Sequence, residues 1–257
     1  MECREFTVGQ RVFFSSCVTG SSAEYTVCNP ANTYPLPPAL SFEEGACLGV
    51  PYLTAHRALF GKARGVAGQR VLVHGATGAV GIATVQLALA AGMHVVASSG
   101  SVAGVNLLLS QGVRADCIIM HRDPEHLKTF QIPGAGFDIV IEMLANENLS
   151  MDLKTLAQGG VVVVVGNRGD VSINPRDLMA RDASVVGMSL ANVKPTELKQ
   201  IAQSLYPALG KMLHPVVRRV YALEDLAEAH EDVLKPGALG NLVVRISTHE
   251  SDEKMSD

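Results

Sequence analysis

Val71-Leu72-Val73-His74-Gly75-Ala76-Thr77-Gly78-Ala79-Val80-Gly81 is the stretch that decides the fold. A short β-branched run ends in a glycine-rich turn and passes directly into an apolar helical pattern, the strand–turn–helix context in which dinucleotides are held. Gly75 and Gly78 let the backbone approach a pyrophosphate, and Gly81 lets the helix lie close against the strand. The start of the helix, at Thr77, Ala79 and Val80, then offers unpaired N–H groups to the anion.

Downstream, short β-branched runs alternate with longer helical patterns. Strands are predicted at 70–74, 94–98, 116–119, 138–142, 160–165 and 184–186, and helices at 79–91, 102–111, 124–130, 149–157 and 175–181. This alternation is how a parallel sheet covered by crossover helices reads. It predicts an α/β protein with a Rossmann-type doubly wound parallel sheet over residues 46–213.

Upstream the character changes. Residues 8–16 and 23–29 read as strands separated by a Thr19-Gly20-Ser21-Ser22 turn, followed by a proline-rich loop at 30–38. They look like the last strands of a β-rich domain, and two strands alone are marginal. Ser41-Phe42-Glu43-Glu44 is a capping box that opens a helix, and a second helix is predicted at 51–60 with Pro51 in its first turn. After the sheet come amphipathic helices at 196–213 and 223–234, a closing strand at 241–246, and a polar tail at 247–257 expected to be disordered.

Composition narrows the function. Of 257 residues, 47% are hydrophobic and 18% charged, and the net charge of -4 provides no positive field for nucleic acid. The longest apolar run, Val161 to Val165, is far short of the roughly 20 residues of a membrane span, and Met1-Glu2-Cys3-Arg4-Glu5 does not open a signal peptide. The cysteines, Cys3, Cys17, Cys28, Cys47 and Cys117, include no Cys-x-x-Cys pair. Free thiols, a cytoplasmic setting and no structural zinc are expected.

A site that prefers NAD carries Asp or Glu at the end of the second strand, about 20 residues past the glycines. Here that strand runs His94-Val95-Val96-Ala97-Ser98-Ser99-Gly100-Ser101, without an acid. Its hydroxyls and amides suit the extra phosphate of NADPH, which a carboxylate would repel. Arg168, just past a five-valine strand, stands where open α/β sheets bind ligands. His74, His56, His94 and His214 have no evident partner, so no histidine-based triad is read.

Several long motifs extend the reading. Gly49-Val50-Pro51-Tyr52-Leu53-Thr54-Ala55-His56-Arg57-Ala58-Leu59, VLVHGATGAVG at 71–81, IEMLANENLS at 141–150 and VVVVGNRGDVSINPRDLMA at 162–180 closely resemble the zeta-crystallin family of NADPH:quinone oxidoreductases. That family lies in the zinc-free branch of the medium-chain dehydrogenase/reductase superfamily, and the similarity runs from Val8 to Ile246. It implies a GroES-like catalytic domain, here partial and formed by 1–45 with 214–246, beside a cofactor domain at 46–213. It also implies a homotetramer and reduction of quinones by NADPH.

By position, the resemblance assigns cofactor contacts to Thr77, Gly78, Ala79 and Val80, to Gly100 near the adenosine phosphate, and to His121 at the adenine end. Asn148, Val165, Gly166, Asn167, Arg168, Met188, Ser189 and Leu190 would line the rest of the groove. Thr54 would hydrogen-bond the nicotinamide side and Tyr52 line the acceptor pocket. The chain departs from the family at Ala79 (usually Gly), His56 (Tyr) and Asn241 (commonly Lys). Its VGQRVF at 8–13 matches a motif well inside the family's catalytic domain, so the chain reads as shortened at its start. The alternatives are a nucleotide-binding protein without turnover, and binding of AU-rich mRNA, known in relatives.

Overall fold

The computed structural model describes residues 5–121 and 136–246. The predicted helix at 124–130 and the tail at 247–257 lie outside the described residues.

A six-stranded parallel sheet forms the centre. Its strands are β3 (Arg70–Val73), β4 (His94–Ser99), β5 (Ile118–Met120), β6 (Phe137–Glu142), β7 (Leu156–Val164) and β8 (Ser184–Gly187), in the order β5-β4-β3-β6-β7-β8. This is the doubly wound order, with its switch point between β3 and β6. The two-residue period of a strand sends alternate side chains to opposite faces. Val71, Val73, Val95, Ala97, Ile139, Ile141 and Val163 therefore join one core, and Leu72, Val96, Val140 and Val162 the other.

Helices α2 (Gly49–His56) and α3 (Ala79–Ala90) cover the first face. Helix α3 is apolar nearly all round, and eight of its residues are buried, as befits a helix packed on more than one side. Leu108 of α4 (Val102–Ser110) and Leu198, Ile201 and Leu205 of α7 (Pro195–Leu205) join the same core. On the second face, Leu149 and Leu153 of α5 (Ala145–Thr155) pack into the other core, with Leu178 of the short α6 (Pro175–Met179) against them. Helix α5 starts earlier than 149 and yields to β7 at Leu156. Its first turn has no side-chain cap and is fixed by a tertiary bond from Ala145 N–H to the Gly166 carbonyl, 3.1 Å.

Two small sheets flank this body. β1 (Val12–Phe14) pairs antiparallel with β2 (Thr33–Pro35), with Phe13 opposite Tyr34. The strand predicted at 23–29 is not formed, and its place is taken by part of the proline-rich segment. Asn29 caps a short 3-10 turn at Pro30–Asn32, which brings Thr33–Pro35 alongside β1. The capping box at Ser41 and Glu44 is present and opens α1 (Phe42–Ala46). At the other end, β9 (Val217–Ala222) pairs in parallel with β10 (Asn241–Arg245) across α8 (Leu226–Val233). Among the described residues no helix is long and apolar enough to cross a membrane.

Candidate cofactor site

The carboxyl ends of β3, β4, β6, β7 and β8 lie along one edge of the parallel sheet, and the first of them is built from backbone. Gly75 has φ +56°, in the left-handed region. Its N–H donates to Ser98 Oγ (3.1 Å), and the Ala76 N–H donates to the Ser98 carbonyl (3.3 Å). A Cβ at Gly81 would stand 2.2 Å from the Gly75 oxygen and 2.6 Å from the Ala76 Cα, so only glycine lets α3 sit this close. Gly78 occupies the N-cap position without a side-chain cap, and the first helical bond runs from Ile82 N–H to its carbonyl. That leaves the N–H groups of Ala79, Val80 and Gly81 for an outside acceptor. Thr77 is nearly buried, its carbonyl accepts the Gly240 N–H at 2.8 Å, and Gly240 bridges Gly78 along one side of the turn.

At the end of β4 the structure corrects one expectation. Ser98 and Ser99 are buried, and their hydroxyls are engaged internally: Ser98 accepts from Gly75, and Ser99 donates to the Ser101 carbonyl at 3.0 Å. They are not available to a phosphate. Half-buried Gly100 remains at this point, with exposed His121 beside it through its N–H bond to the Ser99 carbonyl (3.0 Å).

The ends of β6 and β7 are locked together. The N–H groups of Val165 and Gly166 both donate to the Glu142 carbonyl (2.8 and 3.2 Å), and a Cβ at Gly166 would lie 2.3 Å from the Met143 oxygen. Asn146 N–H donates to Asn167 Oδ1 (2.9 Å), while Asn146 Oδ1 accepts the Arg168 N–H (3.0 Å). The exposed Arg168 guanidinium has no hydrogen-bond or ion-pair partner among the described residues. Met188 is buried and tied to Val164, Ser189 is exposed, and Leu190 packs against the core. Asn148 lies inside α5 rather than at its N-cap, and its Nδ2 donates to Glu142 Oε1 at 3.2 Å.

That bond leads to a cluster that the sequence reading misses. His74, Glu142 and Asp152 are all buried where the ends of β3 and β6 meet α5. His74 Nε2 lies 2.8 Å from Asp152 Oδ1 and 3.6 Å from Glu142 Oε2. Glu142 Oε1 also accepts the Leu144 N–H. Burial pushes the Glu142 carboxyl up to about 7, with Asp152 adding to the rise and the His74 charge opposing it. Burial alone would lower the His74 imidazole, but Asp152 and Glu142 outweigh it and raise it. Two signals in the sequence point to the cluster: an acid ending the otherwise apolar run Phe137–Glu142, and Asp152 on the i, i+3, i+4, i+7 stripe Leu149, Asp152, Leu153, Leu156.

The two residues expected to carry catalysis are enclosed. Tyr52 is 1% exposed and its hydroxyl donates to Gln86 Oε1 (2.7 Å) between α2 and α3. In this chain its ring and hydroxyl are taken up by packing between the two helices. Thr54 is also buried, and its hydroxyl has no hydrogen-bond partner among the described residues.

Comparison with known proteins fits this geometry. Residues 79–206 match the zinc-binding dehydrogenase family. The quinone oxidoreductase of Rattus norvegicus is 44% identical over 243 residues, spanning 93% of this chain and 73% of that protein. That of Homo sapiens is 41% identical with the same coverage. Among solved structures, the quinone oxidoreductase of Thermus thermophilus, determined also in complex with NADPH, superposes with a TM-score of 0.80 at 31% identity, covering 93% of this chain and 78% of that one. The doubly wound sheet with its glycine turn, taken with these relatives, marks a medium-chain dehydrogenase/reductase. Within that class, the chain belongs to the zeta-crystallin-like quinone oxidoreductase family.

Proposed function

We propose that the protein reduces quinones with NADPH. The observation that carries this reading is the turn at the switch point, where Gly75 and Gly81 bring the free N–H groups of α3 to the carboxyl edge of the sheet. The absence of any carboxylate in 94–101 supports NADPH over NADH, and relatives at 41–44% identity are quinone oxidoreductases.

In this reading the N–H groups of Ala79 and Val80 hold the pyrophosphate, and Gly100 and His121 border the adenosine phosphate. The free Arg168 guanidinium and the segment Val165–Asn167 face the rest of the cofactor, with Met188, Ser189 and Leu190 beyond them. The Thr54 hydroxyl is kept for the nicotinamide side. When bound, the nicotinamide supplies the reducing equivalents, and the chain's part is to bind and orient. A zinc-free reaction, a homotetramer, a cytoplasmic location and a partial GroES-like domain formed by 1–45 with 214–246 belong to the same proposal. No observation among the described residues favours the alternative of AU-rich RNA.

The test is NADPH absorbance on mixing the purified chain with an ortho-quinone. Quinone-dependent loss of NADPH, faster than with NADH, is expected. Tight NADPH binding without turnover would move the reading to a nucleotide-binding protein.

A further inference from the structure

Where the ends of β3 and β6 meet α5, three ionisable side chains are sealed from water with an imbalance of charge. Two carboxyls and one imidazole meet within 4.8 Å, and Glu142 Oε2 and Asp152 Oδ2 are buried without a hydrogen-bond partner. The groups that face Glu142 are His74 from the end of β3 and Asp152 from α5. On its other side β7 places Val164, and Glu147 and Lys154 of α5 are exposed to solvent. Ionising both carboxyls against one imidazolium would leave a net buried negative charge, which is strongly unfavourable. A single proton held by the carboxyl pair removes that charge and turns one of the orphaned oxygens into a donor.

We propose that Glu142 and Asp152 share one proton, with His74 bound to Asp152, and that this cluster positions the loop after β6 for the cofactor. Glu142 Oε2 holds the proton and donates it toward Asp152. Glu142 Oε1 stays free to accept from Leu144 N–H and Asn148 Nδ2, which sets the path of residues 143–148. Asn146 then carries that path to Asn167 and Arg168. All three are buried, so they act as positioning residues. The effect on the cofactor rests on the function proposed above, whereas the proton is read in the chain without ligand.

The sign of the pH effect follows from the direction of both shifts. The folded state holds its protons on Glu142 and His74 more tightly than the unfolded chain does. Their stabilisation is complete below the ordinary glutamate range and is lost as pH rises through about 7 and above. Glu142→Gln replaces the shared proton with an amide that donates to Asp152 while its oxygen still accepts from Leu144.

The experiment has three readouts. The infrared carbonyl stretch of a protonated carboxyl should be present in the wild-type chain at pH 6 and fade as pH rises to 8.5. It should be absent or much reduced in Glu142→Gln. The denaturant midpoint of the wild type should fall over the same range, and that of Glu142→Gln should fall less. With NADPH, the wild-type KM should rise several-fold between pH 7 and 8.5 while kcat changes less, and Glu142→Gln should flatten that rise.

The infrared arm needs no variant, so a misfolded Glu142→Gln would leave the proposal open to refutation. No protonated carboxyl in the wild type, or an unchanged pH slope in a folded Glu142→Gln, would overturn it. So would stoichiometric uptake of zinc chloride that abolishes the pH dependence, because the cluster would then be a metal site. Failure to bind NADPH, with the infrared and midpoint arms as expected, would leave the shared proton standing and overturn both the function proposed above and the loop's role toward the cofactor.

Discussion

The ends of β3 and β6 flank the same switch point and are built by opposite means. After β3 the chain turns on backbone: Gly75 takes a left-handed φ, Gly81 leaves no room for a Cβ, and the helix N–H groups are presented without side chains. After β6 the loop is held by side chains, with Glu142 binding Leu144 and Asn148, and Asn146 reaching Asn167. A backbone site depends on residues a few positions apart. A side-chain site is assembled from elements distant in sequence, and His74 and Asp152 are 78 positions apart.

The sharpest way to break this comparison is to remove one member of the side-chain cluster. Asp152→Ala leaves His74 and Glu142 without their shared partner, and denaturant unfolding should show a loss of about 3–5 kcal/mol. A loss below about 1 kcal/mol would mean that the cluster is not coupled. On the backbone side, Gly81→Ala should cost about 1–3 kcal/mol through overpacking, and calorimetry should show NADPH binding weakened at least tenfold. An unaltered affinity would separate the glycine from the cofactor.

Tyr52→Phe sharpens the contrast by testing a residue that both regions exclude. It removes one buried hydrogen bond to Gln86 and should cost about 0.5–1.5 kcal/mol, with kcat/KM for the quinone unchanged. A large fall in kcat/KM would return Tyr52 to the acceptor pocket. Arg168→Ala should have the smallest effect on stability, within about 0.5 kcal/mol. It should weaken NADPH by about tenfold, the scale of one hydrogen bond to a charged group.

The same division explains what is legible in the sequence. The β-branched runs and the spacing of Gly75, Gly78 and Gly81 are local signals, and they lead directly to the sheet and its turn. β2 is hidden because prolines in 30–38 read as loop, although Pro35 is tolerated in a two-stranded ribbon. β9 is hidden because Arg218 and Arg219 interrupt its apolar character, and its partner β10 lies beyond α8. Periodicity places Ser98 and Ser99 at a strand end, but the direction of their hydroxyls depends on Gly75 and Ser101, which no periodicity reports. Tyr52 escapes for a related reason: its position on α2 is clear from the sequence, as is α3 itself, but the packing of α3 over it is not.

The most direct test of the central claim is calorimetric titration of the purified chain with NADPH and with NADH. The account predicts one site per chain that binds NADPH more tightly than NADH, because the end of β4 offers no carboxylate to the ribose. Equal affinities would contradict the choice of cofactor, and no binding of either by a folded chain would contradict the reading of the glycine turn itself.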